Sequence, residues 1–114
     1  MHATGHVYRK GFEVVRVVFL GLTITSSWGN GHATTYRGLT GELAKRGHEV
    51  LFLERNAPWY ASFRDQNSPA GVDIQIYDSR DDLQRRFWPA IHHADAVIVG
   101  SYVPEGSAIA EWVL

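Results

Sequence analysis

The chain has 114 residues, of which 45% are hydrophobic and 20% charged, values typical of one globular domain and not of a disordered tail. Its formal net charge is −1 with acids and bases interspersed, so no basic face for nucleic acid and no polybasic patch for an anionic membrane is expected. The absence of cysteine excludes a disulfide, a thiolate nucleophile and a cysteine-based zinc site. The scattered histidines lack metal-ligand spacing, so we predict no metal centre.

The first segment lacks the periodicity of a helix or a strand, and we predict a flexible N-terminal extension over residues 1–13 and a domain over residues 14–114. The longest apolar run, Val14 to Leu22, is interrupted by Arg16 and is shorter than the roughly 20 residues of a membrane-spanning helix. The start of the chain also lacks the apolar stretch and cleavage site of a secretion signal. These features predict a cytoplasmic protein without a membrane span.

Strand and helix patterns alternate from residue 14 onward. Residues 14–24 are rich in β-branched side chains and almost continuously apolar, which is typical of a strand buried on both faces of a parallel sheet. Residues 35–46 have the period of an amphipathic helix that stops at Gly47, and Val50 to Leu53 form a second buried strand. The predicted core face of that helix contains Tyr36, Leu39, Leu43 and Ala44, and its outer face contains Arg37, Glu42, Lys45 and Arg46.

The middle of the chain predicts a short helix, an edge strand and a longer helix. The short helix lies within Ala57 to Gln66. In residues 72–77, side chains predicted to be buried alternate with side chains predicted to be exposed. This alternation favours a strand with one exposed face near a sheet edge. Ser79 followed by Asp82 resembles a capping box, and Pro89 in the helix behind it predicts a kink or a break. The buried set of the strand is Val72, Ile74 and Ile76, and the exposed set is Asp73, Gln75 and Tyr77.

The last part of the chain predicts a fourth buried strand over Asp95 to Val103 and a helix from Pro104. The helix lacks a stop signal, so we expect a truncated domain in which the apolar side chains from Ile109 to Leu114 are exposed and permit self-association. Four strands alternating with helices predict an α/β, Rossmann-like parallel sheet with helices on both faces and the strand order 3-2-1-4.

The segment TSSWGNGHATTYRGL, Thr25 to Leu39, joins the first strand to the first helix. This junction lies at the carboxyl end of the sheet beside the reversal in strand order, where open α/β sheets bind ligands. Gly29 and Gly31 allow a ligand to approach the backbone, and the free N–H groups of the helix start favour an anion or a sugar hydroxyl. His32 is a candidate base, because a neutral imidazole can accept a proton. Capping or solvation of the helix start is the alternative role for His32, whereas packing alone does not readily explain glycine at both positions.

A dinucleotide is one candidate ligand for this junction. Gly29 to Thr34, GNGHAT, matches the first two glycines of the G-x-G-x-x-G pattern, and Glu54 ends the second strand where a ribose-binding acid is expected. Against this assignment, Thr34 replaces the third glycine. A P-loop is excluded because no Gly-Lys-Ser/Thr follows.

Residues 28–60, WGNGHATTYRGLTGELAKRGHEVLFLERNAPWY, resemble the N-terminal domain of GT-B glycosyltransferases, most closely the CgeB-like family associated with spore maturation proteins. The similarity runs from about Val17 through IVGSYVPEG. It implies the acceptor side of an enzyme that uses a nucleotide-sugar as donor substrate and needs no further cofactor. It also implies a C-terminal donor-binding domain that this sequence lacks, so this chain is expected to be inactive alone.

More distantly, GNGH followed by a helix and RGHEVLFL is similar to the Gly-His loop of small-molecule glycosyltransferases. This resemblance implies that His32 deprotonates the acceptor. It also implies that Glu105, which matches by position, orients His32. Three classes stay open: part of a glycosyltransferase, a fragment of an NAD(P)-dependent oxidoreductase, and a noncatalytic Rossmann-like binding module. The candidate residues for binding substrate or phosphate are Trp28, Gly29, Asn30, Gly31, Thr34, Thr35, Arg37 and Glu54.

Overall fold

The computed structural model describes residues 7–9, 12–26, 31–58, 69–100 and 103–114. Two short strands come first, β1 (Val7–Arg9) and β2 (Phe12–Val14), which pair antiparallel. The sequence pattern did not indicate strands here. A two-stranded ribbon by itself is at best marginally stable in water, so the flexible extension over residues 1–13 stays a prediction.

The centre of the fold is a four-stranded parallel sheet. It contains β3 (Arg16–Gly21), β4 (Glu49–Arg55), β5 (Val72–Tyr77) and β6 (Ala96–Val99) in the order β5-β4-β3-β6. Counted from the first strand of this sheet, the order is 3-2-1-4, which confirms the predicted Rossmann-like topology. The reversal in strand order lies between β3 and β6, because β4 and β5 are added on one side of β3 and β6 on the other.

Helices cover both faces of the sheet, as predicted. The first face is covered by α1 (His32–Lys45), which packs on β4 and β5. The opposite face is covered by α2 (Arg80–His92) and α3 (Gly106–Val113). Alternate side chains of β3 enter the two cores, because successive residues of a strand point to opposite faces. The buried core under α1 contains Val17, Phe19, Ile24, Val50 and Phe52, and the core under α2 and α3 contains Val18, Leu20, Leu53, Tyr77, Leu83, Ile91, Val103 and Ile109.

The sequence predicted the ends of α1 better than it predicted which of its residues are buried. The helix begins at His32 rather than Thr35, and Gly47 follows it with a φ of 91°, the left-handed conformation expected of a stop. Leu39, predicted in the core, is 47% exposed, whereas Thr40 is fully buried. Thr40 tolerates burial because its hydroxyl donates to the Tyr36 carbonyl at 2.6 Å. The prediction for Leu39 is therefore wrong.

The start of α2 confirms the capping prediction, but the helix does not break. Ser79 is the N-cap, and its hydroxyl accepts from the Asp82 N–H at 3.0 Å, while the Asp82 carboxylate accepts from the Asp78 N–H at 2.8 Å. The helix continues through Pro89 to His92, and Leu83 and Ile91 on either side of the proline are both buried. The burial of these two side chains stabilises the helix by more than the missing N–H of the proline destabilises it.

The two edges of the sheet also correct the sequence interpretation. β5 lies at an edge as predicted, but Tyr77, assigned to its exposed set, is fully buried under α2 and α3. The fourth strand, β6, is shorter than predicted, and Ile98 within it is 42% exposed because β6 is the other edge. Ile109, expected to be exposed, is 1% exposed in the core. The predicted short helix lies mostly outside the described residues.

Candidate functional site

Glu54 holds the first part of the loop between β3 and α1. Its Oε1 accepts from the N–H groups of Ile24 at 2.8 Å and Thr25 at 3.1 Å, and from the Thr23 hydroxyl at 3.1 Å. Its Oε2 accepts from the Thr25 hydroxyl at 2.8 Å. Because a buried carboxylate is costly without donors, these bonds explain how a fully buried acid is accommodated at the end of β4.

The burial of Glu54 changes its predicted role. The sequence assigned it to ligand binding, as an acid that ends the second strand. The side chain has 0% exposure, and its oxygens accept from the loop, so it shapes the site instead of facing a ligand. An acid at the end of the second strand is expected both for binding a ligand and for holding the loop. The sequence therefore could not distinguish these two roles.

Arg37 joins the same loop to α1. Its Nε donates to the Ile24 carbonyl at 2.8 Å, and the side chain is partly buried. Arg37 was predicted as a ligand contact on the outer face of the helix. In the structure this bond ties the helix to the segment that Glu54 holds, so the loop and the start of α1 are fixed to each other.

The first helical turn of α1 is preceded by a glycine that serves as its N-cap. Gly31 is the N-cap without a side-chain hydrogen bond, its φ of −99° suits any residue, and a Cβ built there meets no atom within 4 Å. Thr34 and Thr35 in the first turn are exposed, and the Thr35 hydroxyl donates to the Gly31 carbonyl at 3.3 Å. The exposed side chains of Thr34 and Thr35 therefore lie beside the positive end of the helix dipole, which favours an anion or a hydroxyl.

A cleft of about 370 Å³ lies at this helix start and is lined by Gly31, His32, Thr35 and Tyr36. His32 and Tyr36 are four residues apart on α1 and therefore share a helix face. A larger cleft of about 590 Å³ lies at the opposite edge, among the amino ends of β3 and β4 and the last turn of α2. Ligands of open α/β sheets bind at the carboxyl ends of the strands, so the smaller cleft is the candidate site.

Tyr36 extends across the sheet toward the reversal in strand order. Its ring packs edge-on against Phe52, with centroids 4.9 Å apart, and against Phe19, with centroids 6.4 Å apart. A Cβ on Gly100 would overlap the Tyr36 hydroxyl, and one on Gly21 would overlap the Phe52 ring. Glycines at the ends of two adjacent strands thus provide the space in which the hydroxyl reaches the carboxyl edge.

Tyr36 was not predicted as a site residue, because its helical spacing placed the side chain in the core. Burial raises the pKa of the Tyr36 hydroxyl, which keeps it protonated and able to donate near neutral pH. Within the described ranges no hydrogen bond is formed by this hydroxyl. The available signal was a glycine at the end of the first strand and another after the fourth, a combination that admits a large side chain from the helix.

Glu105 does not meet His32. It is the N-cap of α3, and its Oε1 accepts from Arg55 Nη1 at 2.9 Å, with Arg80 Nη1 at 3.9 Å from Oε2. The predicted orientation of His32 by Glu105 is therefore not present. The reason is topological, because α1 and α3 cover opposite faces of the sheet.

Three predicted site residues, Trp28, Gly29 and Asn30, lie outside the described residues. Within the part that is described, no cluster of three or more metal-ligating side chains could hold a metal ion. None of the helices in that part combines the length and apolarity that a membrane crossing requires. Comparison with known proteins gave no match to a protein-family model and none to a curated protein.

Proposed function

We propose that the chain is the acceptor-side part of a GT-B glycosyltransferase, which transfers a sugar from a nucleotide-sugar to an acceptor hydroxyl. The observation that carries this proposal is the cleft at the start of α1, where His32 and Tyr36 line one face beside the reversal in strand order. The Rossmann-like sheet and the resemblance of residues 28–60 to CgeB-like enzymes support it. A cytoplasmic location is part of the same proposal.

In the proposed reaction, His32 accepts the proton of the acceptor hydroxyl as its oxygen attacks the anomeric carbon of the donor. A carbon–oxygen bond forms to the acceptor, and the bond to the nucleoside diphosphate breaks, so that the diphosphate leaves with the electron pair. The Tyr36 hydroxyl, held protonated by burial, donates a hydrogen bond that orients the acceptor. No metal is invoked for these steps.

The donor requires a second domain in this proposal. The described lining of the cleft comes from the first turns of α1, and transfer needs the acceptor oxygen and the anomeric carbon to be brought within near-attack distance while water is excluded. The chain alone is therefore expected to be inactive. The exposed Ile98 at the β6 edge supports a related proposal, self-association of the isolated chain through its apolar edge.

The burial of Glu54 counts against the dinucleotide alternative. A ribose-binding acid must present an oxygen to the sugar, whereas both Glu54 oxygens accept from the loop and the side chain has 0% exposure. No feature of the described residues favours the third alternative, a noncatalytic binding module. It is instead the outcome that the following test would indicate if ligand binds and no transfer occurs.

The test uses a longer protein in which the proposed donor-binding domain follows this chain, supplied with a panel of nucleotide-sugars and acceptors. His32→Gln should lower kcat by roughly 10²- to 10⁴-fold, the range for removal of a general base. His92→Gln is the matched control, because His92 is exposed at the end of α2 on the opposite face. Equal activity of wild type and His32→Gln would refute the assignment of the base. Turnover by the isolated chain at the rate of the longer protein would refute the need for a donor domain.

A further inference from the structure

A second group of polar side chains lies at the carboxyl edge, on the face covered by α2 and α3. Arg55 ends β4 and is paired in register with Tyr77, which ends β5. The Arg55 Nε donates to the Asp78 carbonyl at 3.0 Å, and its Nη1 donates to Glu105 at 2.9 Å. Arg80, in the first turn of α2, lies 3.9 Å from the other oxygen of Glu105. Two guanidinium groups thus share one carboxylate.

Tyr77, which is beside Arg55 in the register of β4 and β5, has a hydroxyl without a hydrogen bond in the described part of the chain. Tyr77 is fully buried, and its hydroxyl has no partner among the described residues. Burial raises the pKa of Tyr77 to about 12, with smaller contributions from Arg55, which lowers it, and from Glu105 and Glu54, which raise it. The hydroxyl is therefore protonated, and the side chains of Tyr77 and Arg55 extend from the same face of adjacent strands. A buried donor without an acceptor is rare and requires an explanation.

The backbone of Glu105 has a conformation that is unusual for a residue other than glycine. Glu105 has a φ of 61° and a ψ of 25°, and it is the only residue other than glycine with positive φ in the described part of the chain. It follows Pro104 in a turn closed by a hydrogen bond from the Gly106 N–H to the Val103 carbonyl at 2.9 Å. Glycine is favoured at that position of such a turn, so a glutamate there is strained.

We propose that Arg55, Arg80 and Tyr77 form a phosphate-binding site in which the Glu105 carboxylate occupies the position of the ligand. The carboxylate has two oxygens, both directed at the guanidinium groups, and leaves Tyr77 without an acceptor. A phosphate has a further oxygen and can accept from all three donors. The Glu105 side chain is 43% exposed, so it can turn toward solvent when the phosphate binds. This site does not depend on the proposed glycosyl transfer.

The test is calorimetric titration of the chain with inorganic phosphate, methyl phosphate and acetate at constant ionic strength. We expect saturable binding of phosphate and no saturable binding of acetate. Tight binding of methyl phosphate as well would indicate a phosphomonoester ligand, and binding of inorganic phosphate alone would indicate the free ion. Either result supports the site, whereas equal binding of phosphate and acetate overturns it.

Three variants separate this site from nonspecific attraction. Tyr77→Phe should weaken phosphate binding about tenfold or more, since it removes one hydrogen bond to a charged ligand, without lowering the Tm of the ligand-free chain. Glu105→Gln should strengthen binding about two- to fivefold by removing the competing charge. Glu42→Gln, at the exposed pair with Arg46, is the matched control and should change nothing. Unchanged affinity in Tyr77→Phe, or absence of phosphate binding in both wild type and Glu105→Gln, would overturn the proposal.

Discussion

Two acids at the carboxyl edge of the sheet are held in opposite ways. Glu54, on the face covered by α1, is fully buried, and its oxygens accept from hydroxyl and N–H groups of one loop. Glu105, on the face covered by α2 and α3, is 43% exposed and is paired with arginines from a strained backbone. Buried, neutral donors lock a carboxylate in place, whereas an exposed ion pair can exchange with solvent or a ligand. Glu54 therefore fixes the loop that it bonds, whereas Glu105 can leave its arginines.

The largest expected effect is at Glu54. Glu54→Ala leaves its hydrogen-bond donors in the loop without an acceptor and a space in the core, so the free energy of unfolding should fall by about 3 kcal/mol or more. Chemical denaturation measures the change. The control is Glu49→Ala on the same strand, where the exposed pair with Arg16 contributes only about 0–1 kcal/mol. Equal losses in the two variants would show that Glu54 does not hold the loop.

An intermediate effect is expected at Gly100, which faces the Tyr36 hydroxyl. Gly100→Ala should cost about 1–3 kcal/mol, because its Cβ overlaps that hydroxyl. Tyr36→Phe removes the overlapping atom, so the double variant should regain part of the loss in a thermodynamic cycle. Gly38→Ala, on the exposed side of α1 with open space around it, should instead be neutral or slightly stabilising. An additive double variant would show that the hydroxyl does not occupy this space.

The smallest effect is expected at Glu105. Glu105→Gly removes an exposed ion pair but relieves the left-handed strain, so the free energy of unfolding should change by less than about 1 kcal/mol. Glu105→Ala removes the same pair and keeps the strain, so it should be less stable than the glycine variant by about 1 kcal/mol. Thermal unfolding of the two variants side by side measures this difference. Equal stability would indicate that the turn is not strained by a side chain.

The sequence predicted some residues of the candidate site correctly and others not. The position of His32 at a helix start after the first strand was correct, since the order of the elements and their handedness place this junction at the reversal of strand order. Tyr36 was missed because helical periodicity identifies a core-facing residue without showing how far its hydroxyl extends. The pairing of Glu105 with His32 was wrong because it ignored which face of the sheet α3 covers.

The sequence by itself determined the strand order, the stop at Gly47 and the cap at Ser79, because these follow from local patterns and from the handedness of parallel crossovers. Only the tertiary structure decided that Glu54 is enclosed by the loop after β3 and that the Tyr77 hydroxyl is buried without a hydrogen-bond partner among the described residues. These outcomes depend on side chains that are distant in sequence and meet only when the sheet and its helices pack. No local period encodes such contacts, since each is set by the neighbours that packing supplies.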